Sequence, residues 1–294
     1  MRFEGVIPAV LTPFDERGSV DTAALAANTD WLIEEGAAGL VGNGTMGEAQ
    51  SLSASERTLV IETLAAAADG RVPLTAGVSS VTPMASIGYA GEAAAAGASA
   101  LMMLPPLGYE GDEREIEAFY RTVAEATELP IMVYNNPKAS GTDMRPGLIA
   151  RLGEIERVEA VKECSGDARR IAEILNAAPG LEVLVGGDDW ALEGLCGGAT
   201  GWIAGVANVA PRECVELFRL CREGSLEEAR AVYARILPLA RLDMHPKLVQ
   251  FFKAAMDLVG VRGGPCRPPR LELTDDERGV VEAAVRALGV EVAG

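Results

Sequence analysis

The sequence predicts a (β/α)8 TIM barrel followed by a C-terminal helical appendage. Eight short runs rich in Val, Ile, Leu and Met alternate with longer stretches in which apolar residues recur at helical spacing. This alternation requires parallel strands, because each return to the sheet needs a crossover. The eight units occupy about 225 residues, as is typical of such a barrel. We therefore expect a catalytic barrel over 1–225 and a three-helix region packed on it over 226–294.

The strand candidates are apolar at almost every position, which is typical of strands covered on both faces. An open, doubly wound sheet is the competing architecture, and it usually carries a Gly-x-Gly-x-x-Gly turn after its first strand. The segment LTPFDERG (11–18) lacks that turn. The predicted strands are 5–14, 39–44, 72–79, 100–106, 130–137, 158–163, 182–189 and 201–208.

The helical segments begin with residues that suit helix N-termini. Ser53 or Ser55 is a candidate N-cap for the second segment, and Thr82-Pro83 matches an N-cap followed by proline at the first helical position. The predicted barrel helices are 23–36, 53–70, 82–97, 112–128, 144–154, 167–179, 190–198 and 211–224, and those of the appendage are 226–243, 245–260 and 274–289.

Composition limits the function of the chain. A net charge of −17 disfavours nucleic acid and anionic membranes, which attract Lys and Arg. No apolar run reaches the roughly 18 residues that span a bilayer, and the N-terminus lacks the apolar core of a secretory signal. The five cysteines form no Cys-x-x-Cys pair, and the single histidine, His245, has no metal-ligand spacing around it. We expect a cytoplasmic protein with no cofactor, metal, nucleic-acid partner or membrane association.

Side chains at the carboxyl ends of the strands should converge on one mouth of the barrel, where active sites of this fold lie. Lys162 is near the end of the sixth predicted strand and Tyr134 near the end of the fifth. Burial disfavours an ammonium and should lower the pKa of Lys162. A neutral amine forms a Schiff base with a ketone, and a phenol can carry the protons involved. The structural alternatives are a lysine that reaches water and a tyrosine that fills the core.

The segment GNGTMGE (42–48) ends the second predicted strand with glycines that allow close backbone approach. Successive N–H groups at Thr45 and Met46 could bind a substrate carboxylate. The Thr45 hydroxyl could pair with Tyr134. A tight turn that binds nothing is the structural alternative.

With these residues the chain resembles the dihydrodipicolinate synthase / N-acetylneuraminate lyase family of Schiff-base lyases. The resemblance covers essentially the whole chain and implies a barrel with C-terminal helices, assembled as a homotetramer (a dimer of dimers). It rests on five motifs in the same order: Gly44–Glu48, Tyr134–Pro137, Lys162 with Gly166 and Asp167, GGDD at 186–189, and GWIAGVANVAP at 201–211.

The resemblance also implies roles for individual residues. Lys162 would form the imine, Tyr134 would shuttle protons with Thr45 as its catalytic neighbour, and no cofactor or metal would take part. The ligand would be pyruvate or another small 2-oxo or imino acid. The residues implied to bind it are Gly44, Thr45, Met46, Ile203 and Gly205.

Three positions depart from true dihydrodipicolinate synthases. Met46 stands where a second hydroxyl residue is usual, Leu107 where a tyrosine is lent to the neighbouring subunit, and Ala139 where an arginine holds a second carboxylate. Tyr109 is a possible substitute for that tyrosine. The chain looks more like the branch that acts by elimination, which includes 1-pyrroline-4-hydroxy-2-carboxylate deaminases and ketodeoxysugar-acid dehydratases. A pyruvate-dependent aldolase, a synthase-like condensation and a non-catalytic 2-oxo acid sensor are the alternatives.

Overall fold

The computed structural model describes residues 2–289, and its architecture confirms the predicted barrel. Every predicted strand contains an observed one. The observed strands are mostly shorter, because most of the apolar runs continue into loops at the barrel mouth. The strands are β1 (Gly5–Pro8), β2 (Leu40–Gly42), β3 (Leu74–Gly77), β4 (Ala100–Met103), β5 (Ile131–Asn135), β6 (Val158–Glu163), β7 (Glu182–Val185) and β8 (Gly201–Ala204).

The sheet is nearly a closed ring. Its strands pair in parallel in chain order from β2 to β8, and β8 then pairs with β1. A parallel bridge between Ala9 and Val41 joins the two ends, and the Val10 N–H donates to the Val41 carbonyl at 2.9 Å. Because all the strands run the same way, their carboxyl ends surround a single mouth.

Each predicted helical segment overlaps a helix, and the first helix begins one residue before its predicted segment, at Thr22. Ser53, rather than Ser55, caps the second one through a capping box, and Thr82 caps the third ahead of Pro83. No helix within residues 2–289 is long and apolar enough to cross a membrane. The helices are α1 (Thr22–Glu34), α2 (Ala54–Ala68), α3 (Pro83–Ala95), α4 (Glu113–Ala124), α5 (Pro137–Ser140), α6 (Pro146–Leu152), α7 (Arg169–Ala177), α8 (Ala191–Cys196), α9 (Pro211–Glu223), α10 (Leu226–Ala240), α11 (Leu248–Leu258) and α12 (Asp275–Ala287).

The appendage makes polar contacts with the barrel as well as packing on it. The Tyr233 hydroxyl of α10 donates to the Asp188 carbonyl at 3.2 Å, just beyond β7. Lys253 of α11 places its Nζ 2.7 Å from the carboxylate of Glu48, which follows β2. Both side chains of this ion pair are almost fully buried. The appendage is therefore held against the loops of the barrel mouth.

The end of the predicted helix 226–243 is wrong. α10 stops at Ala240, and a 3-10 turn follows over Arg241–Met244. The cavity at the barrel mouth is lined by Asp243 and Met244 of this turn and by His245, Pro246 and Leu248 after it. The appendage therefore forms part of the wall of the candidate site.

Candidate active site

A cavity of about 270 Å³ opens at the mouth formed by the carboxyl ends of the strands. Its walls come from the loop after β2, from the ends of β5, β6 and β8, and from the segment 243–248 of the appendage. All seven residues that the sequence analysis placed in the site line this cavity: Gly44, Thr45, Met46, Tyr134, Lys162, Ile203 and Gly205.

Lys162 and Tyr134 are direct neighbours, as the sequence predicted. They pair across β5 and β6, and the Lys162 Nζ lies 4.1 Å from the centre of the Tyr134 ring. Lys162 is 6% exposed and Tyr134 is 4% exposed. The lysine therefore points into the mouth and does not extend into bulk water, which was the structural alternative.

Gly186 makes room for this lysine. A Cβ on Gly186 would lie 2.9 Å from Lys162 Cγ and 2.7 Å from Cys164 Cβ. Carbon atoms in contact normally stay about 3.5–4.0 Å apart. The absence of a side chain after β7 thus sets the path that Lys162 follows into the cavity.

The expected direction of the Lys162 pKa shift is wrong. Burial does lower the pKa of Lys162, but the negative charges that Tyr134, Cys164 and Asp243 carry when ionised act together in the opposite direction and raise it above its usual value. At neutral pH Tyr134 and Cys164 are protonated, so Asp243 supplies the negative charge that favours the ammonium form of Lys162. The ammonium must lose a proton before its nitrogen can attack a carbonyl carbon.

Tyr134 is a proton donor at neutral pH. Burial raises the pKa of Tyr134, although the charge of Lys162 opposes the shift. The hydrogen bond predicted from Thr45 to this phenol is replaced by one from Asn136, whose Nδ2 donates to the Tyr134 oxygen at 2.9 Å. Asn136 also caps α5, because its Oδ1 accepts from the Ala139 N–H at 3.1 Å. The short helix thus fixes the amide that orients the phenol.

The turn after β2 lines the cavity and carries unpaired backbone donors. The N–H groups of Thr45 and Met46 have no acceptor within residues 2–289. Asn43 and Glu48 bracket the turn in the left-handed region, with φ of 54° and 53°. The buried Glu48 carboxylate, paired with Lys253, anchors the far end of the turn. Two free N–H groups in a fixed turn can bind a carboxylate.

Gly205 and Ile203 form the opposite wall. A Cβ on Gly205 would lie 3.0 Å from Asp188 Oδ2, 3.2 Å from Met46 Cε and 3.7 Å from Asp243 Oδ1. The bare glycine thus keeps a gap between the turn after β2, the loop after β7 and the appendage. Ile203 is almost fully buried in β8 and gives the wall an apolar surface.

Two acidic residues near Lys162 received no role in the sequence-based prediction. Asp188 is fully buried and accepts from Trp202 Nε1 at 3.0 Å and from the Val206 N–H at 2.7 Å. Burial and the negative charge of Asp243 raise the pKa of Asp188 well above its usual range. The GGDD motif placed Asp188 at the end of the seventh predicted strand without indicating what it does. Nothing local pointed to Asp243, which lay at the end of a predicted appendage helix.

The fold and this mouth define a lyase of the imine-forming type. The sequence model of the dihydrodipicolinate synthetase family matches residues 2–288, and the chain belongs to this family. The 4-hydroxy-tetrahydrodipicolinate synthase of Methanothrix thermoacetophila is 38% identical over 279 residues, which are 93% of this chain and 93% of that protein. An uncharacterized DapA-like lyase of Halobacterium salinarum is 33% identical over 286 residues, 97% of this chain and 94% of that protein.

Solved structures agree with this assignment. The chloride-inhibited dihydrodipicolinate synthase from Acinetobacter baumannii, complexed with pyruvate, superposes with a TM-score of 0.93 at 29% identity, over 98% of this chain and 99% of that chain. The predicted family and the predicted enzyme class, a lyase, are thereby confirmed.

Proposed function

We propose that the chain binds a small 2-oxo or cyclic imino acid as an imine on Lys162 and eliminates water or an amine from it. One observation carries the proposal. Lys162 and Tyr134 are buried side by side in a cavity that is also lined by Thr45 and Met46, whose N–H groups have no acceptor within residues 2–289. An amine, a proton donor and a carboxylate cradle are the parts that this chemistry needs.

In the proposed reaction the substrate carboxylate accepts hydrogen bonds from the Thr45 and Met46 N–H groups. The Lys162 ammonium loses a proton to the carbonyl oxygen through the Tyr134 hydroxyl, and its nitrogen forms a bond to C2 while the carbonyl π electrons move to that oxygen. A second proton passes from the nitrogen to the oxygen by the same route, and the oxygen leaves as water. A protonated imine remains, and Tyr134 is again a phenol. The imine withdraws electrons from C3, which makes a C3 proton removable, and the resulting enamine can expel a hydroxyl or amino group from C4.

The outer part of the cavity supports elimination from a substrate with a single carboxylate. Ala139 contributes no cation there, and the Lys138 ammonium donates to the Met244 carbonyl. Asp243 lines the same region and adds negative charge. A second anionic group would be poorly held. A neutral hydroxylated or amino-bearing tail fits better, as in substrates of deaminases and dehydratases of this type.

Condensation of pyruvate with an aldehyde is the second candidate. It is favoured by the name of the Methanothrix relative, a 4-hydroxy-tetrahydrodipicolinate synthase. Product analysis separates the two. Elimination gives 2-oxoglutarate semialdehyde from 1-pyrroline-4-hydroxy-2-carboxylate, whereas condensation consumes pyruvate together with aspartate semialdehyde. Pyruvate binding without turnover of any of these compounds would contradict elimination.

The imine itself is tested by reduction with borohydride in the presence of pyruvate, followed by peptide mass spectrometry. We expect the adduct on Lys162 alone. Lys162→Arg should abolish it, and Lys138→Arg, a change to the other lysine lining the cavity, should keep it. An adduct on another lysine, or none at all, would refute the proposal.

We also propose that the chain assembles as a homotetramer. Val81, Met84 and Tyr109 are large apolar or aromatic side chains with 58%, 71% and 50% exposure, and they lie in or beside the loops after β3 and β4. Leu107 borders a small cavity that also touches Thr45, so a partner at these loops would approach the site. Light scattering should give four times the chain mass of 30.7 kDa. A monomer at micromolar concentration would contradict the assembly.

A further inference from the structure

We infer that Asp243, which comes from the appendage, is the base that removes the C3 proton of the imine-bound substrate. The inference rests on the proposed imine at Lys162 and adds a catalytic residue to it. It also makes the appendage part of the catalytic machinery.

The position of Asp243 carries the inference. Its side chain lines the same cavity as Lys162 and Tyr134, and its Oδ1 faces the gap beside Gly205. Across that gap lies Met46, whose N–H would hold the substrate carboxylate. A substrate bound at that turn through its carboxylate and at Lys162 through C2 leaves C3 in the space that Asp243 borders.

The other groups near the imine are poor bases. Tyr134 is protonated at neutral pH because burial raises its pKa. Burial also raises the pKa of the Cys164 thiol, to about 12. His245 already accepts a hydrogen bond at Nδ1 from the Lys247 N–H at 3.1 Å, so in the neutral ring the hydrogen is on Nε2.

Asp188 is also unsuited. Its Oδ2 also lies beside Gly205, but this oxygen accepts from the Val206 N–H, and Oδ1 accepts from the indole N–H of Trp202 and the Gly205 N–H. The side chain is fully buried and does not line the cavity. Asp243 is only partly buried and faces the open space. Of the two carboxylates, only Asp243 can touch a substrate.

The charges around Asp243 make it a base at neutral pH. Burial raises the pKa of Asp243 to about 6, while the positive charge of Lys162, a hydrogen bond from the Asp188 backbone and the charge of Lys138 act against the rise. The negative charge of Asp189 adds to it. Asp243 is therefore largely ionised at pH 7, and its conjugate acid can return the proton near the same pH.

The step balances without a further reactant. The Asp243 carboxylate forms an O–H bond with the C3 hydrogen, and the C3–H electron pair becomes the C2=C3 π bond. The C=N π electrons move to the Lys162 nitrogen, which becomes a neutral enamine nitrogen. The reverse step returns a proton to C3. In D2O that proton is a deuteron.

Deuterium exchange into the methyl group of pyruvate tests this step without knowledge of the natural substrate. The rate of exchange is measured by NMR at each pH. Dividing it by the amount of borohydride-trapped adduct at the same pH gives the exchange rate per imine, a quotient that does not depend on how much imine forms. For the wild type we expect this quotient to rise about tenfold from pH 5 to pH 7, with a midpoint near 6. A quotient that is flat over this range would overturn the assignment, even if no variant folds.

Variants provide an independent check. Asp243→Asn should keep the trapped adduct and lower exchange about 100-fold at pH 7.5, and Asp243→Glu should recover part of it. Asp189→Asn is the matched control. It should keep exchange at pH 7.5 and move the midpoint to lower pH, because it removes a negative charge that raises the pKa of Asp243.

The outcomes separate the two proposals. If Asp243→Asn forms the adduct and exchanges deuterium at the wild-type rate, only the role of Asp243 is overturned. The role of Asp243 is also overturned if Tyr134→Phe forms the adduct but loses deuterium exchange while Asp243→Asn retains the exchange. A wild-type protein that forms no adduct overturns the imine proposal, and the assignment of Asp243 with it.

Discussion

Replacing Gly186 with alanine tests whether the space beside Lys162 controls imine formation. The added Cβ would lie 2.7 Å from the Glu163 carbonyl oxygen, 2.7 Å from Cys164 Cβ and 2.9 Å from Lys162 Cγ. Two of these three atoms belong to the backbone or lie next to it, so they cannot swing away cheaply. Since normal carbon contacts begin at about 3.5 Å, the neighbours must move by roughly 1 Å.

A shift of that size should affect both stability and reactivity. Overpacking of this kind costs about 1–3 kcal/mol in the free energy of unfolding. A displacement of about 1 Å in a reacting group slows its reaction about 100-fold. We therefore expect Gly186→Ala to fold with reduced stability and to form the trapped pyruvate adduct about 100-fold more slowly than the wild type.

The measurement is the rate of adduct formation from a borohydride-quenched time course, with urea denaturation run in parallel. Gly88→Ala is the matched control, because Gly88 lies in α3 with no atom near the added Cβ. It should leave the rate unchanged and raise stability by about 0.5–1 kcal/mol. A folded Gly186→Ala protein that forms the adduct at the wild-type rate would refute the reasoning.

Two further predictions concern the ion pairs Glu48–Lys253 and Glu56–Arg267, which join the barrel to α11 and to the segment after it. Glu48→Gln leaves the buried Lys253 ammonium without its carboxylate and should lower the free energy of unfolding in urea by about 3–5 kcal/mol. Glu16→Gln changes an 86% exposed side chain and should lower it by almost nothing. Equal losses in the two variants would contradict this. Hydrogen bonding to Arg267 lowers the pKa of Glu56 to about 2. Because the folded pKa lies below the unfolded value of 4.5, this pair stabilises the fold above pH 4.5 and is lost as pH falls towards 2. Thermal unfolding of Glu56→Gln should therefore show a smaller loss of stability over that range than the wild type, and parallel curves would argue against it.

The order of strands and helices could be predicted because it depends on local pattern. Burial on both faces makes a parallel strand apolar throughout, and the crossover that follows must be amphipathic. The proximity of Lys162 to Tyr134 followed from the same pattern, since consecutive strands of a barrel are neighbours. Even the choice between Ser53 and Ser55 as the N-cap of α2 needed only the Glu three residues after Ser53.

The charge state of the site could not be predicted in the same way. A strand-end lysine shows that a charge will be buried, but the sign of its pKa shift depends on which ionisable groups surround it. Asp243 lines the same cavity as Lys162 only because α10 ends at Ala240 and the following turn lies over the barrel mouth. Local periodicity therefore determined the barrel and the lysine–tyrosine pair. Long-range packing of the appendage decided the electrostatic field around them, because Coulomb interactions depend on distance in space and not on separation along the chain.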